Sequence, residues 1–497
     1  MRKWAERSGL CGELRALRRP VAVLFAALLA ALLPLLLADF HYLDDLGRAA
    51  IGYRRWGEFG RYLSEYGSVL VHAGTHLTDI SPLPQLLAAL IMAAACAVSL
   101  AVLRPGGAKG STLWELAASL PLALCPYFLE CFSYQFDAPY MAAAVLASVA
   151  PALLWGRAGC LAYGAAAALG TLTMCVSYQA ASGIFPMLTV FLALREWNAG
   201  RPVLRQLVSA AAGYLLGLVI FRAALMPRVD SYVATSLLPL GELLPGFFAQ
   251  LLRYYRLVLS DFKKGWLALI ALIVLLYAVS FVCRSRQKKP LAAVAVTVGL
   301  AVAAALAFGA YPALERPLEE PRAMQGVGAL IAFAAIGACG GADRARRLLP
   351  ARVCCLALCW CFAVFAATYG NALAEQQRYA QFRMELVLGD LNELPIMNNG
   401  TTKVMAVSGD IGRAPALRHI PRNQGILDRL VPTVFSGETW GENYLYSYYG
   451  MKNVAMLEDG SAVLDETDIT QLGLPVIKET MYHTIRGVGQ YVVVELK

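Results

Sequence analysis

The sequence predicts a polytopic α-helical membrane protein of about 11 transmembrane helices followed by a small α/β domain. Three observations predict it. Of 497 residues 58% are hydrophobic and only 15% are charged, where soluble domains carry about 25% charged residues. Apolar runs long enough to cross the hydrocarbon as helices recur between short polar or basic linkers. Beyond residue 375 the pattern changes to shorter, strand-like runs broken by glycine turns.

The first span covers residues 21–40. It follows Arg2, Lys3, Arg7, Arg15, Arg18 and Arg19, opposed by Glu6 and Glu13. The run is long and no clear small-residue cleavage site follows it, so it reads as an uncleaved span with a cytoplasmic N-terminus rather than a signal peptide. Residues 41–81 place Ile51, Trp56, Phe59, Tyr62, Leu63 and Tyr66 near helical spacing among charged neighbours, which predicts an amphipathic helix on the membrane surface.

Later spans are paced by charge. Spans two, four, six, eight and ten end at Arg104 and Lys109, at Arg157, at Arg195, at Arg284 to Lys289, and near Arg344. Basic clusters on every second connection are the positive-inside pattern, and the net charge of +9 is a topology signal rather than a sign of nucleic-acid binding. The opposite connections carry Asp44-Asp45, the run 130–137, Tyr178-Gln179, the mixed stretch 227–264 and the run 315–322. An odd number of spans places the tail outside, and the polar connections put any chemistry on the outer face of the membrane. The chain divides into a membrane domain, 1–374, and an extracytoplasmic α/β domain, 375–497.

Most of the twelve cysteines lie in or beside apolar runs without a CxxC pair, and they read as small hydrophobes rather than zinc ligands. None follows Phe362, so the tail holds by its own core rather than by disulfides. In the tail, Gly409-x-x-Gly412 is too short for a phosphate loop, and Trp440, Tyr444, Tyr446, Tyr448 and Tyr449 form an aromatic set that either packs the tail's core or stacks on sugar rings.

The motif that organises the chain is Asp44-Asp45-Leu-Gly-Arg48. At the end of a span a carboxylate stays near water while reaching a lipid-borne headgroup. Either the pair caps a short interfacial helix with Arg48 as its surface partner, or it does chemistry. His72, His76 and Asp79 present a weak HxxxH set that serves either a metal or interfacial hydrogen bonds.

In their order, Asp44-Asp45-x-x-Arg48, Gly52-Tyr53-x-x-Trp56-Gly57-x-x-Gly60-Arg61, Asp79-Ile80-Ser81-Pro82-Leu83, Tyr134-Gln135-Phe136-Asp137 and Ser177-Tyr178-Gln179 resemble the bacterial glucosyltransferase family of the Gtr type II kind, known for O-antigen serotype conversion in lipopolysaccharide. That family looks like a branch of the GT-C glycosyltransferases. The resemblance implies a polyprenyl-phosphate-linked glucose donor, a cell-surface polysaccharide acceptor and a direct inverting displacement. By analogy with the first external loop of GT-C enzymes, Asp44 or Asp45 is the expected base, with Asp44 slightly favoured. Arg48, Arg316 and Arg322 are the expected ligands of the donor phosphate, which a guanidinium matches bidentately. Tyr134, Gln135, Asp137, Tyr178, Gln179 and Asp79 are the expected sugar contacts. Mg²⁺ or Mn²⁺ would require Asp44, Asp45 and Asp137 to converge. The other classes kept open are a transporter or flippase of lipid-linked glycan and a non-catalytic glycan-binding subunit. A transporter should carry ionisable groups at mid-span, and the span interiors here are almost free of them.

Overall fold

The computed structural model describes residues 9–226, 236–340, 345–420, 425–437, 448–455 and 469–497. Among these, seven helices are long and apolar enough to cross a membrane: Leu10–Ala38, Leu83–Leu103, Leu204–Leu225, Lys264–Arg284, Lys289–Leu306, Pro321–Cys339 and Leu348–Glu393. An eighth results if Leu113–Leu124 and Pro126–Ser133, bent by 62°, count as one. The bend has a local cause. Cys125 precedes a proline, which disfavours the α conformation, and it sits at φ −55°, ψ 134° before the helix restarts at Pro126.

Leu83–Leu103 and Pro321–Cys339 are mostly buried at the centre, whereas the other long helices turn apolar residues such as Leu215, Leu275 and Val298 outward. Exposed apolar rows of this kind suit a lipid solvent. The apolar helices Ala138–Leu154 and Cys160–Cys175 are shorter.

Residues 41–81 depart from the single amphipathic helix expected of them. They form two α-helices, Asp44–Ile51 and Tyr62–Val71, joined through a 3₁₀ turn at Trp56–Phe59. Gly52, Arg55 and Gly60 take positive φ, which breaks the helix twice. A Cβ at Gly52 would also lie 2.3 Å from Nε2 of the exposed His76, whose ring would have to move aside. The folded-back segment buries Trp56 with Leu77, Phe136 and Tyr140 instead of laying it on lipid.

The helix Ala345–Glu393 is continuous through residue 375, about 74 Å long by its 49 residues. Gly370 lets it press against the first span, where a Cβ would sit 2.3 Å from the Leu35 nitrogen. Its far half carries the tail. A four-stranded sheet, β1 (Val404–Ser408), β2 (Val476–Glu479), β3 (His483–Val488) and β4 (Tyr491–Leu496), runs in the order β1-β4-β3-β2. β1 pairs parallel with β4, while β3 pairs antiparallel with both β4 and β2. Met405, Ile485, Val492 and Val494 share a core with Met384, Val387 and Leu391 of the helix. Buried Arg383 ties the helix to the sheet by donating to the carbonyls of Tyr482, at 2.5 Å, and Lys497, at 2.8 Å.

Candidate active site

The first span ends at Asp39, in the left-handed region, and Leu43 also has positive φ, so the chain turns sharply before the Asp44–Ile51 helix starts. Adjacent residues on a helix diverge by about 100°. That separates the two aspartates.

Asp45 points inward and is fully buried. It accepts the backbone N–H groups of Tyr42 at 3.1 Å, Gln135 at 2.8 Å and Phe136 at 3.3 Å, fastening the first loop to the 134–137 loop. Burial, reinforced by the nearby Asp137 carboxylate, pushes the Asp45 carboxyl up to about 8. Asp44 points outward, its side chain 46% exposed and 3.9 Å from Nη1 of Arg48.

Arg48 is buried and donates to Oδ2 of Asp137 at 2.5 Å. The other oxygen of Asp137 accepts Nε1 of Trp56, also at 2.5 Å, and the Arg48 guanidinium lies 4.4 Å over the Trp56 ring. A charge-assisted pair clamped by an aromatic plane leaves Arg48 little freedom.

A second buried ion pair stands beside this one. Glu130 accepts both the backbone N–H of Arg322, at 2.6 Å, and its Nη1, at 2.5 Å. Arg322 lies 5.6 Å over the Tyr134 ring, which in turn packs 4.9 Å from Tyr42. The charges of Arg322, Glu130 and Asp44 all act on Tyr134, and those of Arg322 and Arg61 act on Tyr178. Arg61 stacks 4.8 Å over the Tyr178 ring. The Nε atoms of Arg48 and Arg61 and the Tyr178 hydroxyl are buried without a hydrogen-bond partner. Buried polar atoms are normally satisfied, so these open donors mark a place for a polar ligand.

Residues 33–333 match the family described as "Glucosyl transferase GtrII". The chain belongs to that family. A stretch of 116 residues is also 30% identical to an "Uncharacterized 55.3 kDa protein in gtrB 5'region" of Salmonella phage P22, covering 23% of each chain. The match thus spans under a quarter of that relative's length. No solved structure matches this GtrII chain.

For a glucosyl transferase the placement of each expected residue matters. Asp44, Arg48, Asp137, Tyr134, Tyr178 and Arg322 come together. Gln135 is buried, its Nε2 donating to Asp39 at 3.0 Å, and Gln179 donates to the Phe59 carbonyl at 3.0 Å. Asp79 pairs with His41 at 3.0 Å, and that hydrogen bond holds its carboxyl below the usual range. Arg316 lies exposed on the loop whose Glu315 meets Ser236 at 2.6 Å.

Arg61 was not among the expected site residues, and neither was Glu130, the partner of Arg322. Among the described residues no three His, Cys, Asp or Glu side chains gather as a metal site would. Asp137 is taken by Arg48 and Trp56, and Asp45 by three backbone N–H groups. Asp44, Asp45 and Asp137 therefore do not fit a shared divalent cation. His72, His76 and Asp79 do not gather either, since His72 binds the Thr78 carbonyl and stacks on Phe136.

The tail reaches this site. The Leu430 carbonyl accepts the hydroxyls of Tyr42, at 3.0 Å, and Tyr369, at 3.2 Å. Arg429 binds Asp261 and the Glu319 carbonyl. Tyr448 packs edge-on to His41 at 5.6 Å, while Trp440, Tyr444 and Tyr446 lie outside the described residues.

Proposed function

We propose that this glucosyl transferase moves a glucosyl or other hexosyl group from a polyprenyl-phosphate carrier to a cell-surface polysaccharide or lipid-linked glycan, by one inverting displacement with Asp44 as base. The observation that carries the proposal is a half-exposed carboxylate, Asp44, set 3.9 Å from buried Arg48, whose Nε is left open, with Tyr134 feeling the charges of both Asp44 and Arg322.

In the reaction the acceptor hydroxyl gives its proton to Asp44 while its oxygen bonds to the sugar's C1. The C1–O bond to phosphate breaks, and its electron pair leaves on polyprenyl phosphate. Arg61 and Arg322 meet the negative charge that develops there. Tyr134, Tyr178 and Gln179 offer hydrogen bonds to the sugar. Asp137, bound by Arg48 and Trp56, orients the arginine rather than touching substrate, and Asp45 shapes the loop. Arg316 would contact the donor only at the periphery.

The same reading sets the topology. Seven long helices, the bent pair, Ala138–Leu154, Cys160–Cys175 and the apolar Ile184–Asn198 give eleven crossings of a bacterial inner membrane. The N-terminus is then cytoplasmic, and the domain 375–497 is extracytoplasmic, above the site.

The test uses purified protein in nanodiscs with polyprenyl-phosphate glucose and a surface-polysaccharide fragment, with release of polyprenyl phosphate as the readout. Release that depends on acceptor and persists in EDTA is expected. No release from any polyprenyl-linked sugar, in protein shown to be folded, overturns the proposal. A reporter fused after Lys497 and active only in the cytoplasm would overturn the topology.

A further inference from the structure

A cavity of about 910 Å³ opens at the other end of the helices. Leu83–Leu103 links the two ends. It starts just after Asp79, near the Asp44 loop, and finishes in the cavity wall, about 30 Å away by its 21 residues.

Arg104, Arg157, Arg195, Arg201, Arg284 and Arg286 line this cavity, against two carboxylates, Glu13 and Glu196. Glu13 accepts from Arg157 at 3.2 Å, and Glu196 from Arg195 at 2.5 Å and Arg201 at 2.8 Å. Some of the cationic charge faces helix C-termini. The helices ending at Leu103, Asn198, Arg284 and Cys339 all finish at the cavity, and Arg284 donates to the Gly340 carbonyl at 2.6 Å. Arg104 is also answered by Glu115, outside the cavity, at 2.7 Å. At about half a negative charge per C-terminus, four helix ends and three glutamates leave roughly one positive charge without an answer among the described residues. Arg286 is exposed at the mouth, and Arg201 is 69% exposed.

The interior has the opposite character, with Phe191, Tyr277, Phe281, Phe333 and Ile336 forming an apolar wall. Within it two polar atoms, Oδ1 of Asn198 and Oγ of Ser280, are buried without a hydrogen-bond partner. A cationic mouth, an apolar interior and unpartnered polar atoms between them fit one amphiphile, anionic at the head and apolar behind it. The volume equals about thirty waters at ~30 Å³ each, enough for a phosphate headgroup and the first carbons of its chains.

We propose that this cavity binds the phosphate headgroup of an anionic lipid, at a site separate from the Asp44 site. The inference does not depend on which side of a membrane the cavity faces or on the identity of the sugar donor.

Delipidated full-length protein in detergent, titrated with phosphatidylglycerol, phosphatidylcholine or glycerol 3-phosphate, tests it by native mass spectrometry and by the shift in melting temperature. One phosphatidylglycerol per chain should be retained and should raise the melting temperature, with phosphatidylcholine held much less. The double variant Arg201→Gln/Arg286→Gln removes the two exposed cations and should weaken retention about tenfold, the loss of one or two charge-assisted contacts. Arg256→Gln, an exposed arginine outside the cavity, should bind as the parent does. Equal retention of phosphatidylcholine, or undiminished retention by the double variant in folded protein, overturns the proposal. Saturation by glycerol 3-phosphate at the same concentration as the lipid also overturns it, and would assign the cavity to a soluble phosphate compound.

Discussion

The two ends of the helix bundle treat charge in opposite ways. At the Asp44 end the buried carboxylates are answered at hydrogen-bond distance: Asp45 by three backbone N–H groups, Asp137 by Arg48 and Trp56, Glu130 by Arg322. Asp44, beside Arg48, is left half-exposed. At the other end cations outnumber their partners and line an open cavity. Paired burial gives a fixed frame around a single reactive group, whereas surplus charge at an accessible surface gives a receptor for an ion.

Removing the Asp44 carboxylate is the sharpest way to break this comparison. Asp44→Asn should lower the transfer rate by about 10²–10⁴, the usual contribution of a positioned base, while the melting temperature holds. Full activity in Asp44→Asn would end its assignment as base. Next comes the frame. Arg322→Gln leaves Glu130 buried and unpaired and should cost about 3–5 kcal/mol of stability, seen as a clear drop in melting temperature. Arg201→Gln, at the opposite end and 69% exposed, should cost under about 1 kcal/mol. Equal drops would show that the two ends do not differ as described.

Arg61→Gln should raise KM for the lipid donor about ten- to a hundredfold, the range of one charge-assisted hydrogen bond, with folding retained. A further effect is on pH. The folded protein holds the Asp45 proton up to about pH 8, whereas the unfolded chain releases it in the ordinary carboxylate range. Between those limits the unfolded state binds fewer protons, so stability falls as pH rises, by at most ~1.4 kcal/mol per unit. Melting curves from pH 5 to 8 should show that slope, and Asp45→Asn should flatten it.

Apolar spans and alternating basic ends are local properties, and the sequence carried them openly: Arg104, Arg157, Arg195 and Arg284, ends of separate predicted spans, meet around one cavity. The segment 41–81 was less legible. Its apolar residues fall at helical spacing, but positive φ at Gly52, Arg55 and Gly60 folds it back and buries Trp56. Strand β3 is hard to read locally because His483, Arg486 and Gly487 dilute its alternation, whereas β4 carries the plain apolar run Val492 to Val494. The Asp44-to-Arg48 spacing was visible as a motif, but the division of labour between Asp44 and Asp45 depends on the 134–137 loop, distant in sequence. Arg61 stood in the sequence only as the last residue of the Gly52-to-Arg61 motif, and its stacking on Tyr178, from another connection, gives it a place in the site.

The Leu430 carbonyl, held by Tyr42 two residues before Asp44 and by Tyr369, has a consequence for engineering. A chimera that exchanges everything past residue 393 between relatives would bring in a foreign hook for a native receiver. Tyr42, Asp261 and Tyr369 would have to travel with the new tail, or the loop that bears Asp44 would lose its outer clamp.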